Sequence, residues 1–306
     1  MEKEFCRFSN NIRLTVDQET DAQTKYTGVC KKLHDSYYTS TYDGSTKYLF
    51  GSYKTKTNIR PLTQDQDVDV LFKIPEETYK KFKEYKSNGP SALLQEVRGY
   101  LKEKYTTTEK ISAWGKVVLV MFAEKTHNVE VLPAYEEDDG TFTIPNSEDG
   151  GSWEPFDPKK DVDATQESNK TTKGLTEDLA RMIKMWVRNT STCNYKSYKL
   201  LNDVMRFLKN HWKAGAEYSK YTRVMKDFFQ FLKDNTDKDL KNHAETAFNR
   251  ASKANDYEDN EKPKEASEEW RKIFGFEFPL VESNPLKSNS DTTRVFSNPS
   301  RPYGYS

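Results

Sequence analysis

Asp67-Val68-Asp69-Val70 alternates acid and aliphatic, a pattern that fits an extended strand with one buried face. Alternate side chains of a strand share a side, so Asp67 and Asp69 stand together while Val68 and Val70 enter a core. Two adjacent carboxylates repel unless a cation lies between them, and hard oxygen ligands suit Mg²⁺. The pair reads as half of a metal site. Asp65 shares the alternation but precedes the apolar run, and is assigned to the turn. Upstream, the short strand Tyr48-Leu49-Phe50 delivers the chain to Gly51-Ser52. A glycine lets backbone approach a phosphate closely, and the Ser52 hydroxyl and nearby amides can donate to phosphate oxygens.

The third ligand is expected on another strand. Val117–Phe122 is a β-branched and aromatic run, and after a polar turn comes His127-Asn128-Val129-Glu130-Val131-Leu132-Pro133. Val129 and Val131 point one way there; Asn128, Glu130 and Leu132 point the other. Glu130 is the candidate. Three carboxylates on neighbouring strands can hold two Mg²⁺ ions, one lowering the pKa of an attacking hydroxyl and one carrying a nucleotide triphosphate. Such a site would join nucleotides.

These residues resemble the CD-NTases, the nucleotidyltransferases similar to cyclic GMP-AMP synthase, with oligoadenylate synthetase as a cousin. The resemblance lies in Gly51-Ser52, in Asp67-Val68-Asp69-Val70 and in Glu130-Val131-Leu132-Pro133-Ala134, where Glu130 departs from an Asp common in relatives. It extends to Lys184-Met185-Trp186, where the family lysine reaches the triphosphate. In Ser197-Tyr198-Lys199-Leu200 the family serine touches phosphate and its tyrosine stacks on a base, and Trp270 with Phe274-Gly275-Phe276-Glu277-Phe278-Pro279 continues the likeness. The resemblance implies an α+β fold: a polymerase-β-like nucleotidyltransferase mixed sheet with helices, packed against a C-terminal helical lobe.

By the same resemblance Asp67, Asp69 and Glu130 would be catalytic and bind two Mg²⁺, with Mn²⁺ as a substitute. Gly51, Ser52, Lys184, Ser197 and Tyr198 would bind nucleotide. Substrates would be ATP, GTP or both, with pyrimidine NTPs left open, and the product a cyclic di- or trinucleotide messenger in bacterial anti-phage (CBASS) signalling. The alternatives are a linear oligonucleotide of the oligoadenylate-synthetase type and a catalytically inactive nucleotide-binding scaffold.

Helical periodicity organises the rest. Ala22, Tyr26, Val29, Cys30, Leu33 and Tyr37 recur at threes and fours over residues 17–38, where the family places a long helix bracing both lobes. Residues 76–104 read as two helices broken at Asn88-Gly89-Pro90, the second capped by Ser91. Residues 136–163 read as an acidic loop, and the resemblance implies that it connects two lobes. Beyond it, Leu175, Leu179, Met182, Ile183 and Trp186 form an apolar face with Lys184 nearly opposite. Ser197 is placed as an N-cap, or at an anion-attracting helix start, before a core face of Leu201, Val204, Met205 and Leu208. Tyr221, Val224, Met225, Phe228 and Leu232 mark a core helix over 217–233, and a narrow seam of Ala244, Ala247, Phe248 and Ala251 follows. The expected division is a catalytic lobe over 1–165 including the bracing helix, a helical nucleotide-binding lobe over 166–282, and a flexible Ser/Asn/Pro tail over 283–306. In some relatives a partner ligase acts on such a tail.

Composition excludes more than it specifies. Basic and acidic residues number 48 each, a balance that argues against gripping a long polyanion. No apolar run approaches a membrane span, and the first residues lack signal-peptide blocks. Three widely spaced cysteines suggest reduced thiols rather than a disulfide framework, and the chain is expected in the cytoplasm. The four histidines show no zinc spacing and no Gly-x-x-x-x-Gly-Lys-(Ser/Thr) loop is present.

Overall fold

In a computed structural model, residues 1–282 are described apart from Asp65 and Glu109. The turn assignment of Asp65 and the expected 283–306 tail lie outside the described residues. In chain order come α1 (Glu2–Ile12), α2 (Val16–Tyr37), β1 (Lys47–Leu49), α3 (Gly51–Lys54), β2 (Asp67–Lys73), α4 (Glu76–Lys83), α5 (Gly89–Lys104), β3 (Lys110–Trp114), β4 (Val117–Met121) and β5 (Asn128–Glu136). There follow β6 (Phe142–Asn146), β7 (Ser152–Phe156), α6 (Pro158–Thr171), α7 (Leu175–Asn189), α8 (Ser197–His211), α9 (Tyr221–Asn235), α10 (Lys238–Asp259) and α11 (Pro263–Phe274).

The strands form a mixed sheet in the order β1-β2-β5-β4-β3, with β6 on the far end of β5 and β7 beyond it. β2 and β5 are parallel and the other pairs antiparallel. Val68, Val70, Val118, Val120, Val129 and Val131 are buried together with the apolar faces of α2 and α5. The opposite face carries the acids and then a smaller cluster of Leu71, Leu132, Ala134, Phe142 and Ile144. The period-2 pattern thus separates a dry face from a polar one within β2.

The helices pack a second core around Trp186, Phe207, Phe228, Phe229, Trp270 and Phe274. Phe5, Phe8 and Ile12 of α1 enter that core, Phe5 standing edge-on to Trp270 at 5.1 Å. α2 belongs to the sheet: a Thr15–Gln18 capping box starts it and its buried stripe meets β2 and β5. Asp178 ties α1 to α7 and α9, accepting from Ser9 (2.9 Å), Arg13 (2.6 Å), Arg181 (2.7 Å) and Tyr221 (3.0 Å).

Several local expectations are corrected. Residues 142–156, read as loop, form the β6–β7 hairpin: Phe142 and Ile144 alternate inward, and Gly150 and Gly151 take the positive φ its turn requires. The α5 cap is Asn88, whose side chain accepts from the Ser91 amide at 2.8 Å; Gly89-Pro90 fills the first turn instead of breaking it. Ser197 is not a cap either, since Lys196 takes that place. The buried face of α8 is Leu200, Val204, Phe207 and Leu208, turned from the expected one, with Leu201 and Met205 only half-buried. α1 and β3 have no counterpart among the expected elements.

Candidate active site

Between sheet and helices lies a cavity of about 710 Å³. Gly51, Ser52, Asp67 and Asp69 line its sheet side, and Lys184, Ser197 and Tyr198 its helical side. Seven of the eight residues singled out in the sequence therefore meet at one opening. Glu130, the eighth, is not among the lining residues. It pairs with Asp69 across the parallel β2–β5 register, so its side chain leaves the sheet on the same face one strand away.

The turn before β2 is shaped around Asp69. Phe50 N–H donates to the Asp69 carbonyl at 3.2 Å, and Gly51 follows at φ +63°. A Cβ built on Gly51 would overlap the Asp69 carboxylate, so only glycine fits here. Burial, and next Asp67, push the Asp69 carboxyl up to about 6 against the opposing pull of Lys184. Burial, then Asp67 and Asp69, raise Glu130 to about 7. Burial lowers Lys184 to about 8, with Asp69 pulling the other way.

These shifts fix a pH dependence. An acid raised in the fold favours the protonated native state, so its contribution to stability is full below the ordinary value of 4.5 and is lost as pH rises through about 7. With divalent ions chelated, Glu130→Gln is expected to melt about 3 °C above the parent at pH 8. The difference should vanish near pH 4, as followed by circular dichroism; equal melting at both pH values would contradict the assignment.

Asp67, Asp69 and Glu130 offer the oxygen donors a hard divalent cation takes, on one face, with the Asp69 and Glu130 carboxyls held above their ordinary pKa by burial and by their acidic neighbours. By donor type they fit Mg²⁺ or Mn²⁺. Among the described residues no group of three or more His, Cys, Asp or Glu side chains is gathered closely enough to hold a metal ion, which agrees with Glu130 standing off the cavity wall.

Two arginines not singled out in the sequence flank Lys184, and one of them, Arg188, lines the cavity. Arg181, Lys184 and Arg188 lie three and four apart on α7 and share one side. Arg181 donates to the Lys56 carbonyl, Lys184 to Thr57 Oγ1 (3.3 Å), and Arg188 to the Pro61 carbonyl (2.8 Å) and Gln66 Oε1 (3.1 Å). One helix face thus grips the segment between α3 and β2. The spacing was visible in the sequence; its target, 127 residues away for Lys184, was not.

Comparison with known proteins now decides the family. A family model described as the Second Messenger Oligonucleotide or Dinucleotide Synthetase domain matches residues 1–169, more than half of the 306-residue chain. The chain belongs to this family. These synthetases are the CD-NTases whose motifs the sequence resembles, and the expected family and fold class hold. A probable cyclic nucleotide synthase of Bacillus cereus (strain VD146) is 23% identical over 336 aligned positions, covering 90% of this chain and 97% of the relative. Among solved structures, apo DncV of Vibrio cholerae superposes with a TM-score of 0.66 at 15% identity, over 90% of this chain and 95% of DncV. CdnC of E. coli MS115-1, solved with ATP, gives 0.61 at 17% identity, over 91% and 98%. At such identities the superpositions speak for the fold, which spans sheet and helical layer together. Among the described residues of this synthetase-family chain no helix is long and apolar enough to cross a membrane.

Proposed function

We propose that the chain condenses nucleoside triphosphates: a ribose hydroxyl of one nucleotide attacks the α-phosphorus of another, an O–P bond forms, and pyrophosphate departs. Repeating the transfer and closing the ring gives a cyclic di- or trinucleotide, a messenger for bacterial anti-phage (CBASS) signalling. The observation that carries this reading is the confrontation across one cavity of the Asp67/Asp69 pair with Lys184, Ser197 and Tyr198.

The roles follow from the donors. The Gly51–Ser52 turn and Lys184 bind the triphosphate, the first through backbone approach and hydroxyl, the second through its ammonium. Ser197, at the start of α8, adds a hydroxyl. Tyr198, 68% exposed, offers an open ring face for base stacking, which does not itself choose between purine and pyrimidine. Asp67, Asp69 and Glu130 would hold two Mg²⁺, or Mn²⁺ in substitution, and such ions would lower the pKa of the attacking hydroxyl and offset triphosphate charge. Substrate ATP or GTP is supported by the family and by the ATP-bound relative CdnC. A cytoplasmic location, an accessory ligase acting on the tail and a lobe division near residue 165 belong to the same proposal.

A second reading, an inactive nucleotide-binding scaffold, draws on Glu130 lying outside the cavity lining. Incubation with Mg²⁺ and γ- or α-labelled NTPs, then phosphatase, separates the possibilities. Loss of γ-label as pyrophosphate with an α-labelled product that phosphatase leaves intact is expected. A product trimmed by phosphatase would indicate a linear chain, and no pyrophosphate would indicate the scaffold.

A further inference from the structure

Lys184 is tied to the Gly51–Ser52 turn by a run of hydrogen bonds through two buried threonines. Its Nζ donates to Thr57 Oγ1 at 3.3 Å, and Thr57 is 1% exposed while lining the cavity. An ammonium donates only, so Thr57 Oγ1 is the acceptor in that bond. Its own proton is then available to Thr55 Oγ1, 3.0 Å away, and Thr55 Oγ1 donates to the Gly51 carbonyl at 3.0 Å. The Thr57 backbone N–H donates to the Ser52 carbonyl at 3.0 Å. Polarity therefore runs one way, from the charge on α7 to the turn beside β2. Bonds headed by a charge are the stronger kind, and each polarises the next.

The backbone around Thr57 is held as well. Arg181 grips the carbonyl of Lys56, one residue before it, and Arg188 that of Pro61 beyond it. A threonine so fixed gives the mobile end of a lysine a fixed place. Ordering a free lysine on binding costs rotamer entropy, a cost that prior anchoring reduces. One of three ammonium protons is used on Thr57, leaving two for a ligand.

We propose that Thr57 is a positioning residue that sets the Lys184 ammonium at the triphosphate end of the cavity and fixes its distance from the Gly51–Ser52 turn. This rests on the nucleotide reading given above. The hydroxyl touches Lys184 and acts on substrate through it.

The test uses the full chain with Mg²⁺, a non-hydrolysable ATP or GTP analogue for calorimetric affinity, and NTP turnover for KM and kcat. Thr57→Val is expected to weaken analogue binding and raise KM about tenfold, with kcat changed less than about twofold, while Thr57→Ser behaves as the parent. In a Lys184→Ala background, Thr57→Val should add less than about twofold, because the hydroxyl has lost the group it acts through. Unchanged affinity in Thr57→Val, its full effect persisting without Lys184, or failure of Thr57→Ser to rescue would each overturn the proposal. So would a Thr57→Val chain that does not fold, which would mark the hydroxyl as structural. A parent chain that binds no analogue would instead remove the nucleotide reading, and the Thr57 role with it.

Discussion

Asp69→Asn is expected to lower NTP turnover about a thousandfold or more while leaving the fold intact. Asn keeps the volume of Asp and keeps an oxygen acceptor for nearby amides, so the β2–β5 pairing at Glu130 and the turn above it persist. What is lost is a negative charge at the cavity wall, held there despite burial that raises its pKa to about 6. Relieving a buried charge removes a penalty on the native state, so the variant should melt above the parent at pH 8 in chelator. Lower activity with higher stability is the mark of a group kept for chemistry. Turnover within about tenfold of the parent would place the chemistry elsewhere, and a lower melting temperature would make Asp69 a structural residue.

Gly51→Ala is expected to damage both fold and activity. The φ of +63° lies in the left-handed region, which costs a residue bearing a Cβ about 1–2 kcal/mol. The new methyl would also overlap the Asp69 carboxylate, so β2 or the turn must shift. A displacement of about 1 Å at a reacting group can cost about a hundredfold in rate. The variant should therefore melt several degrees lower and turn over about a hundredfold more slowly. Denaturant unfolding and pyrophosphate release check the two effects, and parent-like values in both would contradict the close approach. Gly150→Ala makes the control, because its φ is +89° but nothing stands near its Cβ: it should lose stability without the loss of rate.

What could be read in the chain depended on how local its physical cause is. The faces of β2 and β5 follow from a period of two, and the cavity face of Lys184 from a period of 3.6 against its buried neighbours Met182, Ile183 and Trp186. Both survive unchanged in the structure. The β6–β7 hairpin was hidden because its strands are short and charges outnumber apolar residues around them; only Phe142 and Ile144 alternate inward. α1 was hidden for another reason: Phe5 and Phe8 find ring partners in α11 and the loop after it. No local pattern announces a partner so far along the chain.

The site divides in the same way. Asp67 and Asp69 carry their juxtaposition within three residues, whereas Thr57, Arg181 and Arg188 acquire meaning only when α7 lies over the segment before β2. Glu130 is the instructive case. Alternation placed it on the correct face, and register set it opposite Asp69, yet reaching the cavity depends on side-chain length and on the charges around it. Neither is encoded in the pattern.

The stoichiometry of Mn²⁺ bound in the presence of a non-hydrolysable NTP analogue, read by electron paramagnetic resonance on the parent and on Glu130→Gln, bears most directly on whether three acids share one divalent site. Two ions on the parent chain and fewer on Glu130→Gln are predicted, by the two-ion chemistry such carboxylates support. Two ions retained on Glu130→Gln would mean that Asp67 and Asp69 act without it and that the third ligand has been misassigned.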